Sequence, residues 1–249
     1  MKKLIIRADD LGYSEGTNYG IAKSVKEGIV GSVGIMPNMP TVEHGLLLLE
    51  GVNVCYGQHT NICIGKPLTD PELIPSITND VGEFKSSKEY REAKEDFVVL
   101  DEVIIEIEAQ YEKFIELIGY PPRYFEGHAV ASSNFFKGLQ IVADKYRLKY
   151  SPFSIKKEAV KIGKKHVWIC MQSMDPEYVP FKSLKNFIEK APEDKYYMFI
   201  THPGYLDGFI LKNSTLTTPR PLEVDMLCDS KTERWLEEAG VKLITYDDL

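Results

Sequence analysis

Asp9 and Asp10 stand side by side behind the apolar run Leu4-Ile5-Ile6, and three of the five histidines, His59, His128 and His202, each close a short apolar or aromatic segment. One carboxylate with two imidazoles suits a borderline divalent ion such as Zn²⁺ that keeps a coordination position open. A further carboxylate and a further imidazole would then serve as base and acid beside ion-bound water. That is the set metal-assisted hydrolysis of an amide or ester requires. Each residue alone has a plainer reading: a helix cap and a turn for the aspartates, a satisfied polar residue for any one histidine. What argues for chemistry is the shared position at segment ends. His44, inside a helical stretch, and His166, beside Lys164-Lys165, read instead as solvated surface.

The elements that must position these groups follow from the hydrophobic pattern. Short apolar runs predict strands over 3–7, 30–36, 54–58, 124–126, 148–151, 167–172, 196–201 and 242–246. Helical spacing predicts helices over 14–27, 41–50, 101–118, 135–146, 182–191 and 230–239. Ser14 would open the first of these, and Asp101 and Gly119 would bound the third. Strands alternating with helices imply right-handed β-α-β units and a parallel sheet. The expected fold is α/β: a single (β/α) barrel over 1–249, irregular or short of a unit, with an inserted loop region around residues 65–100. In a parallel barrel the strand C-termini share one face, so residues 9, 59, 128 and 202 can meet there. The insertion is long enough to be a lid, a binding loop or a piece with structure of its own.

Composition narrows the function classes. The chain has 249 residues, 30 basic against 37 acidic side chains, a net charge of −7 and 43% hydrophobic residues, the profile of one ordinary globular domain. A core of that size folds without a metal staple, so a bound ion would serve chemistry. The acidic balance opposes a nucleic-acid binder. No secretory leader and no span of about 20 apolar residues is found, so neither export nor a membrane is expected. The four cysteines, Cys55, Cys63, Cys170 and Cys228, make no Cys-x-x-Cys pair and read as buried or idle thiols of a cytoplasmic protein.

Several segments, in order, resemble one family. Arg7-Ala8-Asp9-Asp10-Leu11-Gly12-Tyr13-Ser14, then Asn18-Tyr19-Gly20-Ile21, Gly57-Gln58-His59-Thr60-Asn61 with Gly65-Lys66-Pro67-Leu68, Thr201-His202-Pro203-Gly204 and Arg220…Glu223…Asp225 are similar to the motifs of the YdjC-like carbohydrate deacetylases. The resemblance implies that Asp10, His59 and His128 hold one divalent metal, zinc or magnesium. It implies Asp9 as the general base and His202 as the acid that protonates the leaving amine. It implies removal of acetyl groups from N-acetylated amino sugars, including chitin-derived oligosaccharides, and a homodimer. Tyr13, Asn61, Tyr205 and Arg220 are the expected substrate-binding positions; Tyr205 and Phe209 follow His202 and suit stacking on sugar rings.

The chain departs from the family at Glu126-Gly127-His128-Ala129-Val130-Ala131-Ser132, where Asp-Gly/Ser-His-x-His-x-His is usual. The ligand His128 is kept, Glu126 replaces an aspartate, and Val130 and Ser132 replace histidines. Arg7 stands where asparagine is common. Two other readings compete: a metal- or sugar-binding homologue without turnover, and a serine hydrolase built on Gly12-Tyr13-Ser14-Glu15-Gly16 with Ser14 as nucleophile.

Overall fold

The computed structural model describes residues 1–152 and 158–249. The chain makes two compact units: Met1–Gly34, Pro40–Tyr56 and Ser154–Leu249 form the first, Ile35–Met39 and Gly57–Phe153 the second.

The first unit is built on strand β1 (Lys2–Leu11), buried from Leu4 to Leu11 as a strand covered on both faces must be. It pairs in parallel with β7 (Tyr196–Thr201), Lys3 to Ala8 opposite Tyr196 to Thr201, and with β8 (Val241–Ile244) over Lys2 to Ile5. β2 (Ser32–Ile35) is its next neighbour in sheet order, with β3 (Cys55–Thr60) following. Helices α1 (Glu15–Lys26) and α2 (Val42–Leu48) connect these strands. Beyond β7 lies β6 (Lys165–Cys170), parallel to it, and then β5 (Val160–Ile162). β5 runs antiparallel to β6 through a two-residue turn, with Gly163 at the positive φ of 57° that such a turn requires. Helix α6 (Pro180–Glu189) links β6 to β7, and α7 (Gly208–Asn213), α8 (Pro219–Cys228) and α9 (Ser230–Glu238) lead from β7 to β8.

The second unit pairs the end of β3 with β4 (Phe125–Gly127), Gln58, His59 and Thr60 standing opposite Phe125, Glu126 and Gly127. Helices α4 (Leu100–Ile118) and α5 (Ser133–Tyr146) pack on each other over a core that includes Ile62, Val103, Ile107, Phe125, Phe135 and Leu139. The insertion has structure of its own. It carries a 3₁₀ turn at Pro71–Leu73 and helix α3 (Ser87–Glu92), opened by a capping box between Ser86 and Glu89. Ile74, Ile77, Phe84 and Tyr90 bury their side chains in the same core, and Glu106 of α4 accepts the Leu68 and Thr69 N–H groups. Full burial of such side chains contributes roughly 1.5–3 kcal/mol each, so the segment is part of the unit's stability.

The α/β class and the strand–helix alternation are as the sequence predicts. Four details differ. Residues 148–151 form no strand: Phe125 exchanges two backbone hydrogen bonds with Lys149 and Ser151, one isolated bridge and no more. The β5–β6 hairpin makes one pair of the sheet antiparallel. Asp101 does not cap α4, which starts one residue earlier after Val99; Asp101 instead sits in the first turn, where its charge favours the helix dipole. Helices α7 and α8 lie outside the predicted helices; Pro219 opens α8 in the first turn, where no N–H is needed.

Candidate active site

In the first unit the carboxylates lie inside β1. Asp9 is two residues from Arg7, on the same side of the strand, and the two buried groups pair at 2.6 Å. Arg7 also donates to the Tyr246 hydroxyl at 3.0 Å. The departure from the family's asparagine therefore supplies Asp9 with its counter-charge. The second Asp9 oxygen, Oδ1, is buried without a hydrogen-bond partner among the described residues. A carboxylate oxygen in that state is costly unless it accepts a proton or a hydrogen bond from something outside the chain.

Asp10 has a left-handed backbone, φ 79°, inside a strand. A non-glycine residue there costs of order 1–3 kcal/mol and persists only where its surroundings hold it. Arg220 does so: its Nη2 meets Asp10 Oδ2 at 2.7 Å, its Nε donates to the Leu216 carbonyl and its Nη1 to the His202 carbonyl. Below it, Gly12 N–H donates to Asn18 Oδ1 and the Gly12 carbonyl accepts from Thr41, which fixes the turn after the aspartates.

His202 follows β7 at the level of Asp9, because Ala8 and Thr201 are register partners. Its N–H donates to Glu223 Oε2 at 2.6 Å, and its Nδ1 lies 3.2 Å from Ser173 Oγ. The loop behind it rests directly on α1: Tyr205 N–H donates to the Gly16 carbonyl, and a Cβ on Gly20 would fall 2.4 Å from the Gly204 Cα. Only glycine at 20 lets the backbones approach so closely.

In the second unit the register that sets His59 opposite Glu126 also joins their side chains, since paired residues of neighbouring strands project to the same face. Glu126 holds His59 Nδ1. His59 Nε2 lies 2.8 Å from His128 Nδ1, the rings meeting edge to face with centroids 4.9 Å apart. The His128 N–H is tied to the Thr60 carbonyl, and Ala129 behind it has a positive φ of 48°. Two nitrogens so close, one ring anchored through its far nitrogen by a carboxylate, make the arrangement that metal-ligating histidines adopt. Ligand atoms about 2.1 Å from one ion stand about 3 Å apart at a right angle and about 3.4 Å apart at a tetrahedral one, so the pair lies close to the spacing that two ligands of one divalent ion take.

The other predicted residues divide by burial. Asn61, fully buried, accepts from Cys63 N–H and donates to Asn38 and the Ile64 carbonyl, shaping the loop after β3. Tyr13 packs between Arg220, whose guanidinium lies 5.5 Å from its ring, and Phe209 at 5.7 Å. Any part that Tyr13, Asn61 or Arg220 takes in substrate binding thus runs through the groups they hold. Tyr205 and Phe209 are 39% and 40% exposed and present ring surface outward. Val130 is buried in the core and Ser132 caps α5, its hydroxyl also donating to Asp96, so neither position offers a metal donor in place of the family's histidines. Ser14 is buried as the cap of α1, accepting from Thr17 N–H and bonded to the Thr17 hydroxyl, which leaves the nucleophile reading without an exposed serine. His44, expected as solvated surface, is half-buried between Asn18 and Tyr19; His166 is exposed as expected. Burial pushes the Cys55 and Cys170 thiols up, to about 11 and about 12, which keeps them protonated and unreactive.

Ser173 escaped the sequence reading, and Glu223 entered it only as part of the Arg220…Glu223…Asp225 motif, with no role of its own. Both signals were present: Glu223 lies three residues after Arg220, hence on the same helix face, and Ser173 lies just beyond the end of β6.

The chain is 31% identical to carbohydrate deacetylase 2 of Listeria innocua serovar 6a, over 99% of this chain and 98% of that one. It is 29% identical to the chitooligosaccharide deacetylase of Proteus mirabilis, over 99% and 98%. The crystal structure of an Enterococcus faecalis V583 protein named for cellobiose-phosphate cleavage shares the fold, with a TM-score of 0.87, 23% identity and coverage of 99% and 98%. No helix of the described residues is long and apolar enough to cross a membrane. The YdjC-like protein family matches residues 3–238, nearly the whole length, and the chain belongs to that family.

Proposed function

We propose that the protein is a carbohydrate deacetylase, an amide hydrolase that removes an acetyl group from an N-acetylated amino sugar or oligosaccharide. The observation that carries the reading is the anchored imidazole pair: His59 held by Glu126 and turned toward His128, a donor set that suits a divalent ion. Asp10, His59 and His128 would hold one divalent ion, zinc or magnesium. When bound, that ion polarises a carbonyl and lowers the pKa of water. Asp9 is the base: Arg7 orients one of its oxygens and leaves the other to take a proton. His202 is the acid that gives a proton to the departing amine, while Arg220 keeps Asp10 and the His202 loop in place together. Tyr205 and Phe209 offer stacking surface for a sugar ring. A net charge of −7 suits a neutral substrate, and the protein would work in the cytoplasm as a homodimer.

The loss of the family's second and third histidines to Val130 and Ser132 favours one competitor, a homologue that binds metal and sugar without turnover. One experiment separates the two. Acetate release is measured from a panel of N-acetylated mono- and oligosaccharides, with and without a chelator. Release that the chelator abolishes is expected. Tight binding of metal and sugar with no acetate from any substrate would establish the competitor, and chelator-resistant release would remove the metal from the reading.

A further inference from the structure

Ser173 and Glu223 form, with His202, a chain of side chains that the proposed chemistry does not yet use. The Ser173 hydroxyl lies 2.9 Å from Glu223 Oε1 and 3.2 Å from His202 Nδ1. Tyr178 donates to the same Glu223 oxygen at 2.7 Å, and the other oxygen receives the His202 N–H. Glu223 is fully buried and Ser173 is 1% exposed, so bulk water does not set the orientation of this chain. Hydrogen counting then decides it. A serine hydroxyl has one hydrogen, and an ionised carboxylate only accepts. With Glu223 ionised, the Ser173 hydrogen points to Glu223, and the Ser173 oxygen must accept from His202 Nδ1–H.

We propose that Ser173 and Glu223 are positioning residues for His202: they hold its Nδ1–H, so that Nε2 is the nitrogen that exchanges a proton with the leaving group. The inference rests on the reading of His202 as the acid. It has the logic of a base or acid oriented by a third group, with a hydroxyl inserted between carboxylate and imidazole. The charged and titratable groups around Glu223 are Arg220 on its own helix, Tyr178 and, through Ser173, His202. Burial pushes the Glu223 carboxyl up to about 7 against the pull of its donors and of Arg220. A protonated Glu223 would donate to Ser173, whose own hydrogen would then turn onto Nδ1 and select the opposite tautomer.

The test compares wild type, Ser173→Ala, Glu223→Gln and His202→Ala, all metal-loaded. It follows kcat, KM and their pH dependence for acetate release from an N-acetylated chitooligosaccharide, and in parallel the hydrolysis of para-nitrophenyl acetate, whose leaving group needs no proton. In Glu223→Gln the amide oxygen can keep the His202 N–H while the NH₂ faces Ser173, which reverses the hydroxyl without emptying the site. Expected are losses of about 10- to 100-fold in amide kcat for both variants, part of the roughly 10²–10⁴ that a positioned acid or base supplies. KM should be unchanged, the acid limb of the kcat profile should move, and the aryl ester should be little affected. Equal losses on amide and ester would mean a merely structural role and overturn the proposal. So would wild-type kcat and pH profile in both variants beside an inactive His202→Ala, an outcome that leaves the deacetylase reading intact. Full amide activity in His202→Ala would instead remove the acid role on which the proposal stands.

Discussion

The two units solve the same problem, holding the side chains of the candidate site still, by opposite means. In the first, each group is restrained by a counter-group: Asp9 by Arg7, Asp10 by Arg220 from 210 residues away, and the His202 loop by Glu223. In the second, His59 and His128 are restrained by strand register and by each other, with the carboxylate of Glu126 on the far nitrogen of His59. The difference follows from charge. A buried carboxylate without a cation is expensive, and pairing with arginine keeps it ionised. An imidazole needs to stay neutral to offer a lone pair, and a hydrogen bond to one of its nitrogens fixes the orientation of the ring.

That contrast is exposed to experiment at several points. The largest effect is expected at Asp9: Asp9→Asn should lower acetate release by about 10²–10⁴ with metal content near normal by elemental analysis. Loss of metal instead would show that Asp9 and Asp10 have exchanged roles. Arg220→Ala should cost about 3–5 kcal/mol in urea unfolding, because Asp10 is left buried without its partner; a cost below 1 kcal/mol, no more than an exposed ion pair gives, would mean that the pairing does not hold Asp10.

Glu223 predicts a pH effect. Its folded value of about 7 stands above the ordinary 4.5, so the folded state binds the extra proton. Its stabilising contribution is full below about 4.5 and is lost as pH rises to about 7, of the order of 3 kcal/mol in all. The difference in unfolding free energy between wild type and Glu223→Gln should therefore change with that sign across that window; a constant difference would place the group at its ordinary value. In the second unit, Glu126→Gln should weaken metal binding by about 10- to 100-fold in chelator competition, with little change in unfolding. Gly20→Ala should show the smallest effect, about 1–3 kcal/mol of stability, with activity falling as the His202 loop is pushed from α1.

Much of this was legible from residue order. Alternation of apolar runs with helical spacing yields the α/β class, and the rule that strand ends carry chemistry singles out Asp9, Asp10, His59, His128 and His202 as candidates. Arg7 could have been read as well, since residues two apart share a strand face. The insertion's contribution to the core was hidden, because its apolar residues Ile74, Ile77, Phe84 and Tyr90 follow no regular period. Helix α8 was hidden behind two prolines, and with it the structural meaning of Arg220.

By itself the sequence determined the kinds of groups present, their order and the elements that carry them, because periodicity and capping are local. Partner choice belonged to tertiary structure alone. That Arg220 neutralises Asp10, that Glu126 stands opposite His59 and that Ser173 meets His202 depend on strand register and helix packing. Those contacts join residues 29 to 210 positions apart. The physical reason is that burial makes an unpaired charge or proton costly, and only the folded chain decides which partner is near enough to satisfy it.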